Sequence, residues 1–430
     1  MKLKTIRNIA IIASILVITY AVGYYAGSRN SDAGAFSRIT NLSNKDVPQD
    51  KQNVDFSLFW LVWERLGKNY IDKSMLDPQK MVYGAISGMV ASIGDPYTVF
   101  LNPKQQKDTK DDLGGRFEGI GAQLGVKDKK IVVVAPIKGM PAEKAGLQAE
   151  DWILKVDGEE TGEWSLPEAV SKIRGPKGSS VMLTIIHKDA SMSADISIQR
   201  DEIKVTSVEW ELKYADCSGI NQNQEKVCVE KKTSCPACIK TVLLKLTRFG
   251  DDTGSEWIKS VSEINELITS DKSIKGVILD LRNNPGGYLT GSVFIASEFL
   301  GQGVVVIQER ADGSRETYTV NREGKLLKIP LVVLINKGSA SASEIVAGAL
   351  RDHQRAKLIG QTSFGKGSIQ EAQELPNGAG IHITTAKWLM PSGKWINGSG
   401  VEPDIIVEID TTQVSETDKQ LEKAIEVLTF

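Results

Sequence analysis

The chain has 430 residues, of which 41% are apolar and 25% charged. That is an ordinary globular composition, long enough for two or three domains with cores of their own. A formal net charge of −2 and no long basic run exclude a nucleic-acid-binding footprint, so partners are to be sought in specific sites.

Lys2, Lys4 and Arg7 precede an uncharged, mostly apolar stretch from Asn8 to Ser28. A helix of about 20 apolar residues spans a bilayer, whereas the core of a cleaved signal is usually shorter. The cationic residues in front stay in the cytoplasm, so the rest of the chain is expected outside it. Residues 1–29 are therefore read as a transmembrane anchor, with Ala33-Gly34-Ala35 leaving a cleaved signal sequence open. Polar residues 30–55 read as a linker. From 56 to 112 the apolar spacing is helical, through Phe59, Leu61, Val62 and Leu66 and then Met81, Ala85, Ile86, Met89 and Val90. The apolar faces of this small helical domain need a cover, either the rest of the chain or a second copy in a homodimer. Asp95-Pro96-Tyr97 reads as a turn that breaks the helical pattern.

Residues 113–205 have a different texture. Gly119-Ile120-Gly121-Ala122 lead to a strand at 131–135 and a short helix ending at Ala145-Gly146, with glycine in the C-cap place. A strand at 152–156, a turn at Asp157-Gly158, a helix over 166–173 and alternating strands at 180–187 and 193–199 follow. This order of elements resembles a PDZ domain. A glycine loop before a strand exposes N–H groups that can take a peptide's terminal carboxylate, and the peptide then adds to the sheet edge beside the second helix. Arg174, just after that helix, is a candidate for carboxylate recognition, for contact with the following domain, or for a plain solvated surface position.

Residues 206–430 read as a layered α/β domain, with strands at 242–246, 276–280, 331–335, 357–360, 381–385 and 405–407 and helices over 256–269 and 341–351. An insert at 213–239 holds all four cysteines, Cys217, Cys228, Cys235 and Cys238. In an oxidising compartment an even count means disulfides, while Cys235-Pro-Ala-Cys238 with two upstream thiols also fits a structural zinc.

The chain has three histidines, His187, His353 and His382, so a hydrolase built here would most simply pair a serine with a lysine. Strand 331–335 ends in a turn that presents Ser339, Ser341 and Ser343 at a helix start. Ser341 with Glu344 fits a capping box. The same helix start suits a nucleophile, because its dipole favours developing negative charge and the Ala342 N–H points where an oxyanion forms. Asp280 to Gly287 ends a buried strand in Asn, Pro and two glycines, which reads either as a second donor loop or as a tight turn. Lys366, between Gly365 and Gly367, becomes a base only where burial depresses its pKa, and Gln370 could aim it without adding charge. Gly360 to Lys366 also matches seven positions of a phosphate-binding loop, but Gly367 stands where the magnesium ligand belongs, which discounts a nucleotide.

Gly338 to Ile345, Asp352, Phe364 to Gln370, Asp280 to Gly287, Met390-Pro-Ser-Gly393 and Gly400 to Asp404 together resemble the carboxyl-terminal processing peptidases, from about residue 56 to the end. These are S41 family tail-specific serine proteases with a PDZ domain. The resemblance implies Ser341 as nucleophile, Lys366 as general base, Gln370 as its orienting partner, and Gly287 and Ala342 as oxyanion donors, with Asp352 as structural support. It implies that the PDZ domain engages substrate C-termini and can gate the site, where Gly119, Ile120, Gly121, Ala122 and Arg174 are the candidate peptide-binding residues. The expected protein is a cofactor-free serine endopeptidase acting on C-terminal tails of exported proteins. Its expected place is a bacterial cell membrane, single-pass and extracytoplasmic, or the periplasm or medium after signal cleavage. The second reading is a catalytically silent PDZ adaptor on the same fold.

Overall fold

The computed structural model describes residues 54–430 except 128–129, 138, 163, 165, 189, 221–225 and 409–417. The expected anchor and most of the linker lie outside the described residues, among which no helix is long and apolar enough to cross a membrane. The chain divides into two units, Met1–Ser92 and Ile93–Phe430.

The first unit carries helices Ser57–Asn69 and Pro78–Ala91. Asp77 caps the second by accepting the N–H groups of Gln79 and Lys80, with Pro78 in the first turn, where a missing N–H costs nothing. Leu58, Trp60, Leu61, Val62 and Leu66 of the first helix are exposed, beside a cluster of the Phe56, Phe59, Trp60 and Trp63 rings.

The second unit begins with an element that the helical reading of residues 56–112 did not foresee. Strand Val99–Leu101 pairs antiparallel with Gly380–Leu389, so that Val99 faces His382 and Leu101 faces Gly380. Helix Pro103–Leu113 follows, capped by Asn102 and Gln105 in a capping box. Residues 93–112 thus belong with the body that holds the α/β core, because an extended Val-Phe-Leu segment satisfies its backbone on an open sheet edge.

The PDZ-like region is a sheet in the order Ala122–Lys127, Lys130–Pro136, Trp152–Val156, Ser180–Ile186 and Ala194–Gln199, with Glu159–Glu160 on the third strand. Val133, Ile153, Leu183 and Ile198 fill its core. Where the chain enters and leaves, Arg116–Gly119 and Asp201–Lys204 pair as a two-stranded antiparallel ribbon. Arg116 and Lys204 on that ribbon both reach Asp252, at 3.2 and 2.9 Å.

The α/β core is a seven-stranded sheet in the order Lys226–Lys231, Val208–Ile220, Ile239–Leu246, Ile274–Asp280, Leu331–Ile335, Lys357–Gly360 and Ile405–Ile406. The run from Ile239–Leu246 onward is parallel, and its buried Val, Ile and Leu residues are what a sheet covered on both faces requires. A second sheet joins Val99–Leu101, Gly380–Leu389, Val304–Arg310 and Arg315–Thr319, with Ser368–Glu374 also on Gly380–Leu389. Residues 213–239, expected as a polar insert, mostly extend the seven-stranded sheet as an edge hairpin. Its thiols form the disulfides Cys217–Cys228 and Cys235–Cys238. Cys228 is buried with Leu421, Ala424 and Ile425 of the helix Lys419–Thr429. Among the described residues no group of three His, Cys, Asp or Glu side chains is arranged to hold a metal ion.

Candidate active site

Strand Leu331–Ile335 delivers the serine turn to the start of helix Ala342–Asp352. Of its three hydroxyls, two are committed. Ser339 is fully buried, donates to Leu281 O at 2.8 Å and accepts the Asn336 N–H at 3.0 Å. Ser343 is fully buried and donates to Asn284 O at 2.9 Å. Ser341 is the one that lines a cavity of about 160 Å³, together with Lys366, Gln370 and Gly287. Tyr288, Leu289, Ile345, Ile369 and Trp388 complete most of its wall. Ser341 has φ +54° and ψ −116°, a conformation that costs a non-glycine residue about 1–3 kcal/mol and persists only where its surroundings impose it.

What imposes it is Glu344, fully buried and one turn into the helix. Its Oε2 accepts the N–H groups of Ser341 at 2.7 Å and Lys366 at 2.9 Å. Its Oε1 accepts the Ser363 hydroxyl and the Gly365 N–H, both at 2.6 Å. One carboxylate therefore ties the serine turn to the lysine loop. That loop is pinned again by Trp388 Nε1, which donates to Lys366 O at 2.8 Å, and by Trp395 Nε1, which donates to Gly367 O at 2.8 Å.

Burial pushes the Lys366 amine below the ordinary lysine range, against the carboxylates of Asp95 and Glu344, which favour its charged form. His382 is held below the usual imidazole value, first by burial and then by the charge on Lys366. Gln370 sits on the strand Ser368–Glu374 and donates from Nε2 to Ser368 Oγ at 2.9 Å and Thr384 Oγ1 at 3.1 Å. Its amide oxygen is thereby turned away from those hydroxyls.

The loop after strand Ile274–Asp280 brings two glycines behind the serine. Gly286 lies so close that a Cβ there would be 2.9 Å from the Ala342 nitrogen. Gly287 has φ +139° and backs onto Phe249, whose N–H donates to Gly286 O while its carbonyl accepts the Tyr288 N–H, both at 2.9 Å. Among the described residues the N–H groups of Gly287 and Ala342 have no acceptor, the condition expected of donors reserved for a ligand. Asp352 lies away from the cavity, where it accepts the Ser392 N–H at 2.9 Å and steadies the turn at Met390–Gly393.

In the PDZ-like region, Ala122–Lys127 is an edge strand, open on the side that faces helix Leu166–Ile173. The carbonyls of Ile120 and Gly121 accept the N–H groups of Ala142 and Ile137, at 2.7 and 2.8 Å. The N–H groups of Ile120 and Gly121 have no acceptor among the described residues. Gly119 and Ala122 bracket that loop. Arg174 stands apart from these donors, with its guanidinium 4.6 Å from the centre of the Phe117 ring and 3.7 Å from Asp112 of helix Pro103–Leu113.

Sequence reasoning missed two contributors to the site. Glu344 was legible only as a helix cap. The turn at Asp95–Thr98 was legible only as a break, since nothing local shows that it packs against residues near 366 and 384.

Residues 240–407 match Peptidase family S41, residues 132–186 match a PDZ domain, and residues 16–105 match the N-terminal domain of the activating protease CtpB. The carboxy-terminal processing protease CtpA of Bacillus subtilis is 36% identical over 348 residues, 81% of this chain and 68% of its own. The carboxy-terminal-processing protease of Bartonella bacilliformis is 37% identical over 384 residues, 87% of this chain and 81% of its own. Among solved structures, a Bacteroides fragilis protein assigned to the S41 proteases covers 83% of this chain and 91% of its own, with a TM-score of 0.51 and 17% identity, a likeness of fold.

Proposed function

Because this chain belongs to peptidase family S41, as a carboxyl-terminal processing peptidase with a PDZ domain, we propose that Ser341 and Lys366 form its catalytic dyad and that the PDZ domain gates it. The observation that carries the dyad is the convergence of Ser341, Lys366, Gln370 and Gly287 on one cavity, while Ser339 and Ser343 are spent on the backbone. The neutral Lys366 amine takes the Ser341 hydroxyl proton as Oγ bonds to the scissile carbonyl carbon. The Gly287 and Ala342 N–H groups receive the oxyanion. The ammonium returns its proton to the departing amine, and water then hydrolyses the acyl ester with the same amine as base. Gln370 aims the amine without pinning it in the charged form. Leu289, Ile345, Ile369 and Trp388 suit an apolar side chain next to the cleaved bond.

A protein tail would add to the open edge Ala122–Lys127, with its terminal carboxylate at the free N–H groups of Ile120 and Gly121 between Gly119 and Ala122. Arg174, placed between Phe117 and Asp112, acts in this reading as a contact of the gate with the peptidase body. The segment at 8–28 tethers the protein to a bacterial cell membrane with its catalytic part outside the cytoplasm. The exposed apolar face of Ser57–Asn69 is covered by a second copy in a homodimer. No cofactor and no nucleic acid enter the reaction.

Ser341→Ala and Lys366→Ala are each expected to lower cleavage of casein and of tail peptides by about 10⁴-fold or more. Wild-type rates in both variants would remove the dyad, and a wild type that cleaves nothing across a broad substrate panel would favour the silent adaptor. Since the base must be neutral, kcat/KM rises with pH through the lowered pKa of Lys366. Its acid limb therefore lies below that of an ordinary lysine.

A further inference from the structure

The turn at Asp95–Thr98 brings an aromatic ring to Lys366 that the dyad itself does not use. The Lys366 Nζ lies 4.9 Å from the centre of the Tyr97 ring, within the range where a ring face attracts a cation. The turn is closed by the Thr98 N–H to Asp95 O at 3.3 Å. The Asp95 carboxylate accepts the Tyr97 N–H at 3.1 Å and the Thr98 hydroxyl at 2.6 Å. Thr98 Oγ1 accepts the Thr384 N–H at 3.0 Å, and Thr384 Oγ1 in turn accepts Gln370 Nε2 at 3.1 Å. The turn that carries this ring and the glutamine of the cavity are therefore held by one hydrogen-bonded chain.

We propose that Tyr97 is a positioning residue for the general base, whose ring face seats the Lys366 ammonium formed when Ser341 gives up its proton, with Asp95 fixing that ring in place. The proposal rests on the dyad reading above. In a Ser-His-Asp arrangement a carboxylate stabilises the protonated base. Here Gln370, which lines the cavity with Lys366, is neutral. A carboxylate bonded directly to the amine would hold it charged at rest and spoil it as a base. A ring face attracts the ammonium more weakly, so the proton can move from Oγ to Nζ as the Oγ–C bond forms, and from Nζ to the amine as the C–N bond breaks. The other titratable groups facing Lys366 are Glu344 on its helix, Asp95 in the turn and His382 on the strand Gly380–Leu389. Tyr288 lines the same cavity.

The test uses the full-length chain, with kcat, KM and the pH profile measured for Tyr97→Leu, Tyr97→Phe and Asp95→Asn beside Lys366→Ala. Tyr97→Leu is expected to lower kcat about 10-fold at nearly constant KM. It should also move the acid limb of kcat/KM to lower pH, because the charged amine loses its seat. Tyr97→Phe keeps the ring face and should keep both values, while Asp95→Asn should move the limb in the same direction as Tyr97→Leu, through its lost charge as well as through the loosened turn. Should Tyr97→Leu fail to fold, Tyr97→Met carries the same expectation. A Tyr97→Leu enzyme with the wild-type limb overturns the proposal, whether its kcat is intact or reduced only with the folded fraction. A loss shared equally by Tyr97→Phe overturns it too, and an unmoved limb in Asp95→Asn removes Asp95 from it. Wild-type turnover in Lys366→Ala would instead overturn the dyad and leave a different trace.

Discussion

Glu344 offers two oxygens to four donors from Ser341, Ser363, Gly365 and Lys366, in a place without solvent. Glu344→Gln turns one acceptor into an NH₂ group that faces donors, so two of the four bonds are lost. It is expected to destabilise the protein by roughly 2–3 kcal/mol, read as a shifted denaturant midpoint at constant m. It should also lower kcat, because the serine turn and the lysine loop are no longer joined. A variant with unchanged midpoint and kcat would reduce Glu344 to a cap. The cap itself was legible, since Ser341 and Glu344 are three residues apart and a helix start is a local pattern. The tether was not, since it depends on where Ser363 to Lys366 return in space. The choice among Ser339, Ser341 and Ser343 is of the same kind: their spacing is uniform, and only burial and partners separate them.

At the scale of elements, the loop from Asp280 to Gly287 is the most constrained. Gly287 stands at φ +139°, and a Cβ there would collide with Phe249 O. Gly287→Ala is therefore expected to displace the loop and cost about 10²–10³-fold in kcat, the loss typical of one oxyanion donor. Binding of tail peptides to the PDZ domain, measured by calorimetry, should stay as in the wild type. Equal losses in both would mean that the loop supports the whole unit rather than the oxyanion site. The ends of this loop were readable, because a buried strand running into Asn-Pro-Gly-Gly has few conformations. The strand Val99–Leu101 was not: three residues carry too little periodicity to be told from the end of a helical region. Its pairing with Gly380–Leu389 is what brings Asp95 and Tyr97 to the lysine.

At the scale of the molecule, the sheet of the α/β core is prolonged at one edge by a disulfide-bonded hairpin that the helix Lys419–Thr429 covers. The Cys228 and Glu230 N–H groups donate to Glu426 and Glu422 of that helix, at 3.2 and 3.3 Å. The N-cap of that helix, Asp418, is tied to the loop that follows strand Ile274–Asp280, because Arg282 bonds Asp280 and Asp418 together. Removing the Cys217–Cys228 bridge with serine at both positions is expected to cost about 3 kcal/mol. Thermal unfolding checks this: the double variant should melt below the wild type, and reductant should bring the wild type down toward it. Equal melting of the two without reductant would make the bridge dispensable. Helical and strand periodicity, the glycine loops and the long serine and lysine motifs were readable along the chain. They place the PDZ region and the α/β core because each is a pattern of neighbouring residues. The serine that faces the cavity, the reach of Glu344 across to the lysine loop and the seat of Lys366 on Tyr97 arose only on folding. Each joins segments distant in the chain, and such contacts are set by sheet pairing and burial, which no local window contains.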